Sequence, residues 1–200
     1  MQTSAYLFLE HPAWRTAFWV SYAAFFFIAM WVHNREQGEP QGIDRDRGSR
    51  TGIYAMSFVG VALAFAGPYV MPSARIALPD AAVFLAAMIL FWAGTLLYPW
   101  AAITLGQFFR TSVQLLDGQQ LVTRGPYRIL RHPAYTAGVL VFAGIGLATG
   151  NWFSLVGAVL SVAIAYAWRI RVEEAALSER FGAEFDAHRA RTWAIIPPVW

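Results

Sequence analysis

The stretch LVTRGPYRILRHPAY, from Leu121 to Tyr135, decides how the rest of the chain is organised. It lies between two hydrophobic blocks and carries three arginines and two prolines. Charged arginine side chains are costly in lipid, so the stretch must lie at a membrane face or in a wet pocket. Gly125-Pro126 is typical of a turn, and the proline after His132 disfavours helical geometry at that histidine. We therefore expect a polar site between apolar walls.

The composition of the 200-residue chain is typical of a membrane protein, with 58% hydrophobic residues, nine tryptophans and 14% charged residues. All 15 basic residues are arginines, and they are scattered among acids. A nucleic-acid partner is not expected, because it would need a clustered basic face. The chain has no cysteine, and its four histidines are dispersed. We therefore predict no metal site.

Charge-free segments predict an all-α integral membrane protein with five transmembrane helices. The first three lie at 14–32, 51–74 and 81–100, and each is about long enough to cross a hydrocarbon core of ~30 Å. The uncharged run 134–168 is too long for one span. It predicts a tight hairpin of two short spans, with Gly150-Asn151 at its middle and several glycines that let the two helices approach closely.

The distribution of arginines predicts the orientation in the membrane. Thirteen of them lie in the loop at 33–50, in the segment 110–131 and in the tail from Arg169 onward, whereas the opposite face holds only Arg15 and Arg75. We therefore expect a multi-pass protein of the cytoplasmic membrane. Its N-terminus would lie outside, and its C-terminus and polar stretch would lie in the cytoplasm.

The tail reads RIRVEEAALSERFGAEFDAHRARTW from Arg169, and its apolar residues recur at helical spacing. The spacing predicts an amphipathic helix from Arg169 to about Arg189 that follows the last span. Arg169 and Glu173 are four residues apart and share a face. One interpretation is an ion pair on a solvated helix. The other is a pocket shared with the polar stretch, in which arginine binds an anion and glutamate holds a cation or accepts a proton.

Three aromatic or imidazole side chains in the polar stretch also leave two interpretations open. Tyr127 and Tyr135 could stack on a flat ligand, but tyrosines at membrane interfaces are also ordinary anchors. His132 could be a buried histidine with satisfied hydrogen bonds or a functional residue. The residues alone do not choose between these interpretations.

Three segments resemble the isoprenylcysteine carboxyl methyltransferase family of integral membrane enzymes, whose wider relatives are the phospholipid methyltransferases. The segments are LGQFFRTSV, LVTRGPYRILRHPAYTAG and RIRVEEAALSERFGAEFDAHRART, and the chain closes with IIPPVW. The similar region runs from about Leu105 to Pro197, roughly half of the chain. The coupling of GPYRxxRHPxY to RIxxEExxLxxxFG is specific. The family usually carries tyrosines near Phe185 and His188.

The resemblance implies a five-helix membrane fold with a cytoplasmic pocket that binds S-adenosylmethionine. It implies that Arg169 and Glu173 lie beside the transferred methyl group as catalytic residues. It divides the chain into a three-span membrane region at 1–104 and a catalytic region at 105–200. The residues implied in cofactor binding are the strand-like Leu121 and Val122, together with Tyr127, His132, Tyr135 and Glu174.

Several acceptors and two other functions remain open at this point. The acceptor is expected to be small and hydrophobic or lipidic, and to reach the pocket sideways from the membrane. The carboxylate of an isoprenylcysteine-like molecule, which Arg169 would favour, is one choice; a phospholipid, small thiol or amine, for which Glu173 would be the base, is another. A nicotinamide-dependent membrane reductase and a non-catalytic membrane scaffold are the alternatives outside methyl transfer.

Overall fold

All regular elements are helices in this computed structural model, which describes residues 5–35, 46, 48–110, 118 and 120–198. Short 3-10 turns precede α1 and follow α2 and α3, and another spans Gly125–Arg128. Within the described residues the α-helices are α1 Pro12–Asn34, α2 Ser49–Val70, α3 Asp80–Leu105, α4 Pro133–Ala148, α5 Trp152–Phe181 and α6 Ala183–Arg189.

Four of these helices are long and apolar enough to cross a membrane. They are α1, α2, α3 and α5, with mean hydropathy between 1.4 and 2.1 in their most apolar windows. Large apolar side chains such as Phe58 and Leu85 are exposed on their outer faces, which suits contact with lipid. The chain is therefore an integral membrane protein. The helix α4 has 16 residues and a length of about 24 Å, so the count of five spans stays a prediction.

The helices α4 and α5 form the hairpin that the uncharged run predicts. Gly150 lies in the turn between them with φ 75°, a left-handed conformation that favours glycine. The side chain of Asn151 accepts a hydrogen bond from the backbone N–H of Ser154 and caps α5. The second arm of the hairpin is longer than predicted, because α5 continues well past Trp168.

The structure corrects three predicted helix boundaries and one predicted strand. The helix α3 continues through Pro99 to Leu105 instead of ending near Trp100. The helix α5 runs unbroken through Arg169, so the predicted C-terminal amphipathic helix is the last part of α5 followed by the short α6 after Gly182. Leu121 and Val122 lie in irregular backbone and not in a strand. The second span ends at Val70.

These extensions follow from the hydrogen-bonding needs of backbone in an apolar environment. An unsatisfied backbone group in lipid costs several kcal/mol, so the residues beyond Pro99 keep their helical hydrogen bonds although the proline itself cannot donate one. Arg169 does not end α5, because its charge is paired inside the protein, as described below.

The helix α4 lies at the centre of the bundle, between α3 and α5. The helix α2 packs along α5, and α1 contacts α3. Glycines set the distance between α3 and α4: a Cβ added to Gly94 would lie 2.5 Å from the carbonyl oxygen of Ala137, and one added to Gly144 would lie 2.8 Å from that of Ala87. Glycines of the uncharged run were expected to let α4 and α5 approach closely. Gly146 does face α5, whereas Gly144 faces α3 instead.

Candidate active site

A cavity of about 550 Å³ lies at one end of the helix bundle. Its walls come from the C-terminal ends of α1, α3 and α5, the N-terminal ends of α2 and α4, the short helix α6 and the residues before α4. This volume falls within the range of about 300–1,000 Å³ that is typical of small-molecule sites. The polar stretch of the sequence and the tail therefore meet in one concave site.

The cavity is lined by both apolar and basic side chains. The helices α1 and α2 contribute the apolar residues Phe26, Met30, Ile53 and Tyr54. Among the described residues that line the cavity, Glu173 is the only carboxylate. The imidazole and guanidinium groups that line it belong to His33, Arg50, Arg110, Arg131, His132 and His188.

The His132 ring is clamped between two consecutive glutamates of α5. Its Nδ1 atom lies 3.3 Å from Oε2 of Glu173, and its Nε2 atom lies 3.2 Å from Oε1 of Glu174. The backbone of His132 is not helical, as the following proline predicts, and its N–H donates to the carbonyl oxygen of Ala194. Because the ring is fixed from both sides, both of its nitrogens are suited to donate when it is charged.

Arg131 fixes the second glutamate and the C-terminal tail. Its Nε atom donates to Oε1 of Glu174 at 2.7 Å. Its Nη1 atom donates to the carbonyl oxygen of Thr192 and, at 3.3 Å, to that of Arg189. The tail after α6 is thus held against the start of α4 by side-chain and backbone hydrogen bonds.

Arg169 is almost completely buried, with 1% of its surface exposed. Its Nε atom donates to Oε1 of Glu173 at 2.8 Å and to the hydroxyl oxygen of Tyr135 at 3.1 Å, and that hydroxyl donates to the same carboxylate oxygen at 2.5 Å. Its Nη1 atom donates to Oδ1 of Asp46 and, at 2.8 Å, to Oγ of Ser49. The interpretation of Arg169 and Glu173 as a solvated surface pair is therefore wrong.

The surroundings of the groups outside the long helices shift their pKa values. Burial disfavours the charged His132 ring, but its hydrogen bonds to Glu173 and Glu174 outweigh that effect and raise its pKa above the ordinary value. Burial, followed by the charges of Arg131 and other neighbours, lowers the pKa of His188. Burial and the charge of Glu173 raise the pKa of Tyr127, so its hydroxyl stays protonated. The site therefore favours the charged form of the His132 imidazole and the neutral form of the His188 imidazole.

The raised pKa of His132 predicts that the protein loses stability in mild alkali. A pKa raised in the folded state gives stabilisation that is complete below the unfolded pKa of about 6.5 and disappears as pH rises through the folded pKa. We expect the unfolding temperature of the detergent-solubilised protein to fall as pH rises from about 6 to about 9, and to fall less in His132→Gln. Tryptophan fluorescence during heating measures it.

The charged groups that face the ring are Glu173, Glu174 and Arg131, with His188 nearby. A His188→Gln variant is the control, since the lowered pKa of His188 confines its effect to the acid end of this range, and the fall in unfolding temperature at alkaline pH should stay as in the wild type. Identical pH profiles for the wild type and His132→Gln would contradict a charged, doubly paired His132.

The structure brings the predicted site residues together, although the sequence separates them by about 40 residues. Leu121, Val122, Tyr127, His132, Tyr135 and Glu173 all line the cavity. Glu174 lies beside this group and binds His132 and Arg131. Arg169 lies behind Tyr135 and Glu173 and contacts both. The individual roles implied by the family resemblance stay predictions. Phe185 and His188, near which the family has tyrosines, line the cavity as well.

The sequence analysis missed three residues that hold the site together: Asp46, Ser49 and Arg131. Asp46 precedes the start of α2, a position typical of a helix cap. That signal predicts the cap but not the contact with Arg169, which lies 123 residues further along the chain. Arg131 was expected to avoid lipid, but nothing in its spacing points to Glu174, 43 residues away.

Comparison with known proteins identifies a family and several relatives of this chain. The family model described as phospholipid methyltransferase matches residues 82–184. Protein-S-isoprenylcysteine O-methyltransferase B of Arabidopsis thaliana is 30% identical over 108 residues, which are 53% of this chain and 55% of that protein. The nickel-cobalt-cadmium resistance protein NccN of Alcaligenes xylosoxydans xylosoxydans is 37% identical over 78 residues, which are 39% of this chain and 36% of that protein.

A solved structure shares the fold. The eukaryotic intramembrane Ras methyltransferase ICMT (isoprenylcysteine carboxyl methyltransferase) superposes with a TM-score of 0.60 and 23% sequence identity, over 73% of this chain and 52% of that one. The present chain thus spans about half the length of these relatives or less. The family model covers more than half of the chain and includes α3, α4 and α5. The chain belongs to the phospholipid methyltransferase family of membrane proteins, to which the isoprenylcysteine carboxyl methyltransferases are related.

Proposed function

We propose that the protein transfers a methyl group from S-adenosylmethionine to a hydrophobic or lipidic acceptor. The observation that carries the proposal is the cavity itself, because one carboxylate and an aromatic ring that is hydrogen-bonded to it share the lining with apolar and basic side chains. The family to which the chain belongs implies a methyl donor. A nicotinamide cofactor has no comparable support in this site, nor does a purely structural role.

Several residues that line the cavity fit the proposed cofactor. S-adenosylmethionine supplies an electrophilic methyl group on a positively charged sulfonium. Glu173 offers a negative charge for such a cation, and Tyr127 and Tyr135 offer flat faces for a purine. The residues that would hold the cofactor are Leu121, Val122, Tyr127, His132, Tyr135 and Glu174, with Glu173 beside the sulfonium.

Methyl transfer from a sulfonium needs alignment of donor and acceptor more than proton transfer. Glu173 is held by Tyr135 and His132 on the cavity side and by Arg169 from behind, so three contacts fix the position of its carboxylate. Arg169 is therefore a positioning residue in this proposal and not a ligand of the acceptor. The carboxylate would be fixed before the ligands bind, which is the arrangement that electrostatic catalysis requires.

The acceptor would approach from the membrane between α1 and α2. Phe26 and Met30 on α1 and Ile53 and Tyr54 on α2 give this side of the cavity an apolar surface that matches an alkyl or isoprenoid chain. Arg50 lies at the start of α2 next to these residues and also lines the cavity. An acceptor with an apolar tail and an acidic group, such as the carboxylate of an isoprenylcysteine-like molecule, fits this combination best. A phospholipid or a small thiol or amine is the alternative acceptor.

The direction of the chain in the membrane is part of the proposal. Thirteen arginines in the sequence segments 33–50, 110–131 and the tail from Arg169, against two elsewhere, favour a cytoplasmic cavity and an N-terminus outside. The division into a three-span membrane region at 1–104 and a catalytic region at 105–200 stays a prediction. The first region also contributes to the site, because α1 and α2 both line the cavity.

The decisive experiment is titration calorimetry with the detergent-solubilised protein. We expect both S-adenosylmethionine and S-adenosylhomocysteine to bind, and His132→Gln to weaken both by about tenfold, because it removes charge-assisted hydrogen bonds from the cofactor site. His11→Gln, at the opposite end of α1, should bind like the wild type. Absence of binding to folded protein would overturn the proposal, and binding of a nicotinamide nucleotide instead would favour the reductase.

A second prediction concerns the acidic group of the acceptor. Arg50→Gln should weaken binding of S-farnesylthioacetate, which ends in a carboxylate, by about tenfold. The affinity for the uncharged primary amide of the same molecule should be almost unchanged. Calorimetry in one detergent compares the two ligands. Arg124→Gln is the control, because Arg124 is exposed and is not among the described residues that line the cavity. An equal loss for both ligands would contradict recognition of the acid by Arg50.

A further inference from the structure

A single carboxylate connects the start of α2 to the buried arginine of α5. Oδ1 of Asp46 accepts from Nη1 of Arg169 and, at 3.1 Å, from the hydroxyl of Ser49. Oδ2 of Asp46 accepts from the backbone N–H of Arg50 at 3.1 Å, which caps the first turn of α2. Ser49 is fully buried, and it also accepts a hydrogen bond from Arg169. This contact joins two helices through charged and buried groups.

The contact lies on the far side of the arginine from the cavity. Arg169 binds Asp46 and Ser49 through Nη1, and it binds Glu173 and Tyr135 through Nε. The guanidinium is planar and rigid, so fixing one of its edges also fixes the direction of the other. A change at Asp46 must therefore reach the carboxylate of Glu173 through the position and charge of Arg169.

Ion pairs connect the charged groups of the described site. The carboxylates of Asp46, Glu173 and Glu174 face the cationic side chains of Arg169, His132, Arg131 and Arg189. Burial raises the pKa of Asp46, but the hydrogen bond from Arg50 and the charge of Arg169 lower it by more, so the group is ionised. Loss of the charge of Asp46 would remove one anion from beside Arg169 and make the charge of the site more positive by one unit.

We propose that Asp46 is a positioning residue of the methyl-donor site, acting through Arg169 to leave the charge of Glu173 available to a cationic ligand. This inference rests on the proposed function. The same contact involves α2 in both parts of the site. The turn that Asp46 caps begins the helix whose Arg50, Ile53 and Tyr54 line the acceptor side. The contact of Asp46 with Arg169 thus connects the acceptor wall to the donor site.

The variant Asp46→Asn separates this role from a purely structural one. Asparagine caps helices as well as aspartate does, and its single acceptor oxygen can keep the hydrogen bond from the backbone N–H of Arg50. Its NH2 group cannot accept from Arg169, so the variant removes both the charge and the hydrogen bond to the guanidinium. S-adenosylmethionine is a sulfonium cation, whereas the sulfur of S-adenosylhomocysteine is neutral. We expect Asp46→Asn to weaken the first ligand about fivefold more than the second, since one negative charge is lost near the sulfonium. Asp46→Glu, which restores the charge, should recover most of the difference.

Calorimetry with both ligands, on the full chain in detergent, measures the two affinities, and thermal unfolding of each variant is recorded alongside. Asp186→Asn on the exposed face of α6 is the control and should leave the ratio of affinities unchanged. Equal weakening of both ligands, or no weakening, in Asp46→Asn would overturn the inference while leaving the proposed function intact. Failure of the wild-type protein to bind either ligand would instead overturn the proposed function, and the inference with it.

Discussion

Replacing Arg169 with methionine should lower the free energy of unfolding by about 3–5 kcal/mol. Arg169 is 1% exposed and pairs with the carboxylates of Asp46 and Glu173. Methionine fills much of the same space but removes the cation that Asp46 and Glu173 share, and removing one member of a buried ionic group is far more costly than removing the whole group. The measurement is thermal or denaturant unfolding in detergent, followed by tryptophan fluorescence.

Two further variants make this result interpretable. Arg171→Met is the control, since Arg171 lies on the same helix but is exposed, and its loss should change stability by less than about 0.5 kcal/mol. Arg169→Lys keeps the charge but lacks the planar fork that reaches Asp46 and Glu173 on two edges, so it should fall between the wild type and Arg169→Met. Equal stabilities for Arg169→Met and Arg171→Met would contradict a buried ionic group.

The fold could be predicted from hydropathy wherever a charged residue ends a span at the surface. The first span is an example, because His33 and the acids that follow it must reach water, and α1 ends at Asn34. Hydropathy fails where a charge is paired inside the protein. Arg169 resembles the end of a span in the sequence, yet α5 continues to Phe181 because Glu173, Tyr135 and Asp46 surround the guanidinium.

The two halves of the site could be predicted from the sequence, but the contacts between them could not. The polar stretch and the tail each concentrate polar groups next to apolar spans, which indicates that they meet at one face. The pairing of His132 with both Glu173 and Glu174, however, depends on how α4 packs against α5, and many registers are compatible with the spacing alone. The contact of Asp46 with Arg169 depends in addition on how α2 packs along α5.

Glu173→Gln should lower kcat/KM for methyl transfer by about 100-fold to 1,000-fold, the effect of removing one preorganised electrostatic group. The glutamine amide keeps the shape of the carboxylate but loses the charge that would face the sulfonium. Arg169 and His132 then remain beside the site with one anion fewer, which further disfavours a cationic donor. Transfer of a radiolabelled methyl group to a farnesylated acceptor measures kcat and KM separately.

Two variants test whether this loss is specific to the charge of Glu173. Tyr135→Phe removes one of the hydrogen bonds to that carboxylate and should have a smaller effect, about tenfold, because the charge remains. Glu184→Gln, exposed on α6, should be as active as the wild type. A Glu173→Gln variant with wild-type kcat/KM would show that the carboxylate only supports the packing of Arg169.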